Sequence, residues 1–132
     1  MKLQVAIDRV SLAHAITLAK DLDGIADVIE LGTSLVKDYG LIALSDIKAE
    51  IKQSELLMDL KAIDEGVYEF NKGFEVNADI LTVMGSADLS TISAVYDVTE
   101  KAGKTMLIDL LNMTDEEIAP LMTFEHAIFG LH

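Results

Sequence analysis

In the stretch ELLMDLKAIDEG, residues 55–66, an apolar run ends in Asp59, Lys61 and Asp64, spaced D-x-K-x-x-D. Two carboxylates and an ammonium this close can do two kinds of chemistry. Carboxylate oxygens without any cysteine suit a hard divalent cation such as Mg²⁺. An ammonium beside carboxylates stays charged and can stabilise an anion formed by proton transfer. Alternate residues of an extended chain share a face, so Asp59 and Lys61 point the same way and Asp64 falls in the loop beyond. Surface loops often carry such charges, so the pattern gains its weight from following a strand-like run.

The same arrangement recurs along the chain. Short apolar segments start at Leu3, Ile25, Glu55, Asp79, Lys104 and His126, separated by 22, 30, 24, 25 and 22 residues. Polar residues close most of them: Asp8, Glu30, Asp59 with Lys61, Asp109 and His132. No equivalent set is evident at the segment starts. Between the segments lie stretches with helical spacing: SLAHAITLAKDL, LIALSDIKAEIK, VYEFNKGFEV, LSTISAVYDVTEKAG and TDEEIAPLM. Ser11 reads as an N-cap, Gly103 as a helix C-terminal glycine, and Thr114 opens a T-x-x-E capping box. Pro120 should shorten or kink the fifth helix.

Six strands alternating with five helices define an α/β chain with a parallel sheet. Either an open doubly wound sheet or a (β/α)₈ barrel fits that order. No glycine fingerprint follows the first strand, where VAID runs into RVSLAH, and this disfavours a dinucleotide-binding open sheet. In a barrel the C-terminal strand ends converge on one mouth, which explains why so many of them are polar.

Composition narrows the partners. The 132 residues carry a net charge of −13 with a single arginine, Arg9, so no basic cluster is available to neutralise nucleic-acid phosphates or an anionic membrane surface. The absence of cysteine and of an apolar leader in MKLQVAID points to a soluble cytoplasmic chain. A bound anion must then be held by a few local groups or a metal.

MKLQVAID, VIELGT, LMDLKAIDEG, ADILTVMGSADLSTI, KAGKTMLIDL and the closing GLH together resemble the 3-hexulose-6-phosphate synthases, within the orotidine monophosphate decarboxylase-like barrels. The resemblance runs the whole length of the chain, with the motifs in order. D-x-K-x-x-D marks only the wider group; Tyr68-Glu69 and TVMGSAD look more like the synthases than the related 3-keto-L-gulonate-6-phosphate decarboxylases. It implies a (β/α)₈ TIM barrel, present here as about six βα units in one partial domain, residues 1–132. The last two units, whose loops commonly bind phosphate, are then lacking.

The activity implied by the resemblance is a Mg²⁺-dependent aldol-type lyase reaction. Ribulose 5-phosphate would lose a proton to an enediolate, which attacks formaldehyde to give a 3-hexulose 6-phosphate. By resemblance Glu30 and Asp59 are metal ligands, Lys61 lies beside the enediolate oxygens and Asp8 contacts substrate. Asp64 would reach the neighbouring subunit's site in a homodimer, and His132 would shuttle the proton. Glu65 departs from the pattern, since the family has a small residue there, and an extra acid is expected to crowd the site or repel phosphate. The alternatives are the sugar-acid-phosphate decarboxylase and a non-catalytic partial barrel that retains the site residues.

Other conspicuous residues have plainer explanations. Met58, Met84, Met106, Met113 and Met122 read as core or near-core fillers. His14 belongs to a helix surface, and His126 starts a strand at the end away from the mouth. Asp109 either supports the site or forms a structural ion pair. The acidic run 114–117 is accounted for by helix capping.

Overall fold

Strand order decides between the two architectures that the βα period allows. The computed structural model describes residues 1–131, and its strands are β1 (Gln4–Ile7), β2 (Val28–Leu31), β3 (Glu55–Ala62), β4 (Ile80–Met84), β5 (Thr105–Asp109) and β6 (Ile128–Gly130). They pair in parallel with their sequence neighbours, giving the order β1-β2-β3-β4-β5-β6. That sequential order belongs to a singly wound barrel wall; a doubly wound sheet would reverse direction partway. This is the incomplete barrel read from the sequence.

The helices are α1 (Leu12–Leu22), α2 (Thr33–Leu44), α3 (Gly66–Glu75), α4 (Leu89–Ala102) and α5 (Asp115–Ile118). The expected caps form: Ser11 Oγ accepts from the His14 N–H, Gly103 ends α4 at φ 63°, and Thr114 and Glu117 complete a capping box. Pro120 lies at the start of the 3₁₀ turn Ala119–Thr123, so α5 is held to a single turn before it. One helix is placed differently. The stretch expected to be helical from Leu41 is the far side of a kink, and α2 already begins at Thr33. Gly40 breaks the helix at φ 73°, and the chain then tightens into a 3₁₀ segment, Ser45–Glu50. The polar TSLVKDYG segment hides its helical start because only Leu35 of its first turns is fully buried.

Most of the core lies between the sheet's outer face and the helices. Ile29, Leu31, Leu56, Met58, Leu81 and Ile108 project there, beside Phe70, Ile92 and Val95 of α3 and α4. Met58 and Met106 are core residues, Met84 and Met113 half-buried, and Met122, expected near the core, is exposed. His14 is exposed, and His126 forms a surface ion pair with Glu100.

The strand starts carry more charge than the sequence pattern suggests, and that expectation is corrected. Asp27 accepts the Leu3 N–H at 2.7 Å, Glu55 pairs with Lys2, and Asp79 is held by Lys48, by Lys104 at 2.8 Å and by the Leu56 N–H at 3.0 Å. Each acid there has a basic or N–H partner, so this end ties neighbouring strands together. It reads as the stabilising end of the barrel.

Candidate active site

The inner face of the sheet is built by a step of two residues on each strand. Val28, Leu57, Ile80 and Leu107 form a separate buried apolar layer. Two residues on, toward the strand C-termini, stand Glu30, Asp59, Thr82 and Asp109. The pleat puts both layers on one face, so an apolar floor lies beneath a polar ring. With Asp8 and Lys61 this ring lines a cleft of about 320 Å³.

Asp59 is held through both of its oxygens. It is 7 % exposed, accepts from Thr33 Oγ1 at one oxygen, and from Thr82 Oγ1 at 2.7 Å at the other. The Lys61 Nζ lies 3.5 Å away and donates to Asp109 on β5. Burial opposes the Lys61 charge, but the hydrogen bond to Asp109 and the two carboxylate charges outweigh it and raise the ammonium above its usual range. Lys61 is therefore a fixed cation, which suits charge stabilisation and not proton abstraction near neutral pH.

Asp59 and Lys61 do share a face, but not as plain extended strand. The register between β3 and β4 shifts between Met58 and Ala62, and Lys61 has a left-handed φ of 49°. For a side chain with a Cβ that backbone costs about 1–2 kcal/mol. The Lys61 N–H donates to Thr82 Oγ1 at 2.9 Å, which holds the distortion in place. Thr82 thereby fixes both the carboxylate and the backbone of the lysine.

Glu30 accepts from Gln4 Nε2 at 2.6 Å. Burial pushes its carboxyl pKa up, the Gln4 bond works the other way, and the charges of Asp59 and Asp8 push it up further. Asp8 accepts from Ser34 Oγ at 2.5 Å and lies directly over Gly32. A Cβ on Gly32 would sit 2.2 Å from an Asp8 oxygen, so the carboxylate needs glycine at the head of α2.

Asp8, Glu30, Asp59 and Lys61 are thus brought together, and Asp109 joins them as the partner of Lys61. Asp64 is not among them. It is exposed, accepts the Glu65 N–H at 2.8 Å, and lines a separate groove with Glu65, Tyr68 and Thr91. Glu65 shares that groove, so within this chain it does not crowd the mouth as its extra charge suggested. His132 lies outside the described residues. The sequence reading missed Gln4, Thr33, Ser34 and Thr82, the hydroxyl and amide groups that orient the acids. Thr82 was recoverable, since it stands two residues after Ile80 as Asp59 stands after Leu57.

Among the described residues no three His, Cys, Asp or Glu side chains converge closely enough to hold an ion by themselves. The donor chemistry nonetheless fits Mg²⁺, which takes one or two carboxylates and completes its octahedron with water and substrate oxygens. Glu30 and Asp59 supply two such carboxylates on the wall of one cleft.

A parallel βα wall with a ring of acids and one fixed lysine at its C-terminal end defines a (β/α) barrel protein whose polar residues gather where such barrels place their sites. The family described as orotidine 5'-phosphate decarboxylase / HUMPS matches residues 1–123, and the chain belongs to it. It is 41 % identical over 117 residues to a 3-hexulose-6-phosphate synthase of Bacillus subtilis (strain 168), covering 89 % of this chain and 56 % of the relative. A crystal structure of a 3-hexulose-6-phosphate synthase superposes with a TM-score of 0.92 at 34 % identity, over 100 % of this chain and 65 % of that one. The 3-keto-L-gulonate-6-phosphate decarboxylase of Vibrio cholerae O1 biovar El Tor gives a TM-score of 0.87 at 28 % identity, over 96 % of this chain and 60 % of that one. The chain therefore spans about 56–65 % of the length of these relatives. No helix among the described residues is long and apolar enough to cross a membrane.

Proposed function

We propose that this chain carries the catalytic mouth of a Mg²⁺-dependent lyase that joins formaldehyde to ribulose 5-phosphate. The observation that carries the reading is Lys61, held charged between Asp59 and Asp109 beside two metal-type carboxylates. In going from ribulose 5-phosphate to a 3-hexulose 6-phosphate the ketone moves from C2 to C3 and the phosphate from C5 to C6. The new carbon therefore joins at C1. A C1 proton must leave, the resulting enediolate attacks the formaldehyde carbon, and the former carbonyl oxygen takes up a proton.

Each residue has a part in that sequence. Lys61 offsets the charge that develops on the enediolate oxygens, as a preorganised donor in a half-buried cleft does best. Asp8, oriented by Ser34, is positioned to accept from a substrate hydroxyl. Glu30 and Asp59 would hold the divalent ion, which when bound supplies further stabilisation of negative charge on the substrate oxygens. The proton shuttle is assigned to His132, whose imidazole chemistry suits exchange near neutral pH.

Asp64 acts in a second copy. It projects from the head of α3 among exposed Ile63, Val67 and Tyr68, an apolar rim that supports a homodimer placing Asp64 at the neighbouring subunit's mouth.

A coupled assay that follows loss of ribulose 5-phosphate and formaldehyde, with and without Mg²⁺, tests the proposal. Turnover should need the ion and fall at least ~10²-fold in Lys61→Ala. A folded chain that leaves both substrates untouched refutes it, and release of CO₂ from 3-keto-L-gulonate 6-phosphate would favour the decarboxylase instead.

A further inference from the structure

Arg9 is the chain's single arginine, and it stands at the mouth. It follows Asp8 at the end of β1 and lines a cleft of about 370 Å³ with Asp8, Thr33, Ser34 and Asp59. Its backbone is left-handed, at φ 52°, a conformation that side chains with a Cβ seldom take. Its N–H donates to Ser34 Oγ at 2.9 Å, and the same hydroxyl donates to Asp8. One serine therefore ties together the substrate-facing acid and the backbone of the arginine.

The charge balance at the mouth gives that placement a use. Asp8, Glu30, Asp59 and Asp109 line the site, and Lys61 is already engaged by two of them. The whole chain carries −13, so an anionic substrate approaches against the prevailing field. Among the described residues Arg9 makes no ion pair, and its side chain is exposed. A guanidinium with a free planar fork matches a phosphate in a bidentate way. Among the described residues β1 is hydrogen-bonded only to β2, so the loop bearing Arg9 lies on the sheet edge where an eighth barrel strand belongs. Loops after strands seven and eight are where barrels commonly seat phosphate.

We propose that Arg9 is a specificity-determining residue that engages the phosphate end of a sugar-phosphate substrate from the β1 side of the mouth. This rests on the sugar-phosphate reading above, and the test separates the two. Because the chain has one arginine, its Nε–H gives a single assignable NMR signal. The chain is titrated with ribulose 5-phosphate, with neutral D-ribulose and with inorganic phosphate, each in the presence of Mg²⁺.

The expected result is that the Arg9 Nε signal moves with ribulose 5-phosphate and inorganic phosphate but not with D-ribulose. Arg9→Ala should weaken ribulose 5-phosphate binding about 10- to 100-fold, the range of a charged hydrogen bond, with D-ribulose and Mg²⁺ binding unchanged. Arg9→Lys should restore part of the loss. If ribulose 5-phosphate shifts the amides of Asp8 and Thr33 while Arg9 Nε stays still, the assignment of Arg9 is overturned and the substrate reading stands. If only inorganic phosphate moves Arg9, the anion contact stands and the substrate reading falls. If no ligand moves either the Arg9 signal or the amides of Asp8 and Thr33, both are overturned.

Discussion

Lys61, at the end of β3, reaches past β4 to donate to Asp109 on β5, while its own-strand neighbour Asp59 lies 3.5 Å from the same nitrogen. The lysine is thus clamped across three strands, and the clamp both orients the ammonium and contributes local stability. Asp109 is 3 % exposed, so its carboxylate depends on partners inside the fold. Asp109→Asn should cost about 1.5–3 kcal/mol, the range for a charged hydrogen bond. The folded pKa of Lys61 is raised, so this stabilisation is full below 10.5 and disappears as pH climbs through the folded value. Urea denaturation should show the difference between wild type and Asp109→Asn holding constant through neutral pH and shrinking above pH 10.5. A difference that did not change with pH would mean that Lys61 is not the partner that matters.

Glu30 should show the opposite trade. Its pKa is raised by burial and by the neighbouring acids, so it adds no penalty below its ordinary value of 4.5 and destabilises the fold as pH rises through its folded value. Glu30→Gln keeps the shape and is expected to be more stable than wild type at pH 7 and equal to it at pH 4. Added Mg²⁺ at ten times its dissociation constant should stabilise wild type by about 1.4 kcal/mol and leave Glu30→Gln unmoved. Thermal melts at the two pH values, with and without the ion, settle both points.

How much of this was legible beforehand differs by layer. The strand ends were readable because Asp8, Glu30, Asp59 and Asp109 each interrupt an apolar, β-branched run at the same relative place. The parallel sheet followed from the βα period, and its sequential order from the polar strand ends and the missing glycine fingerprint that favoured a barrel. Thr33 and Ser34 were not readable as site residues, because the helix they open was itself hidden in a polar segment broken by Gly40. The Lys61 distortion was also invisible: a left-handed lysine is set by tertiary pairing with Thr82, and no local preference announces it. The charged strand starts were overlooked for a different reason. Asp27, Glu55 and Asp79 precede or open their strands and look like loop residues until the fold brings the Leu3 N–H to Asp27, Lys2 to Glu55, and Lys48 and Lys104 to Asp79.

Thr82 carries two hydrogen bonds on one oxygen, donating to Asp59 and accepting from the Lys61 N–H. Thr82→Val preserves volume and removes both. With the residue 3 % exposed, the unpaired groups should cost about 1–3 kcal/mol each, and Asp59 loses one of its two orienting hydroxyls. Thr82→Ser should recover most of the loss. Mg²⁺ affinity by calorimetry distinguishes orientation from stability: a Thr82→Val chain that is destabilised yet binds the ion as wild type does would show that Thr82 serves the fold alone.

Asp79 tests whether the two ends of the sheet are independent. It sits at the strand-start end, and burial would raise its pKa, but the Leu56 N–H, Lys104 and Lys48 outweigh that and hold it below the usual range. A lowered carboxyl contributes stability that is present above 3.8 and lost as pH falls through the folded value. Asp79→Asn should therefore cost about 2 kcal/mol at neutral pH, within the range for charged hydrogen bonds, and that deficit should vanish under acid conditions. Because Asp79 lies below the apolar floor of Val28, Leu57, Ile80 and Leu107, Mg²⁺ binding at the mouth should be unchanged. Paired denaturation and calorimetry check both statements. Weakened ion binding in a fully folded Asp79→Asn chain would show that the floor transmits strain from one end of the sheet to the other.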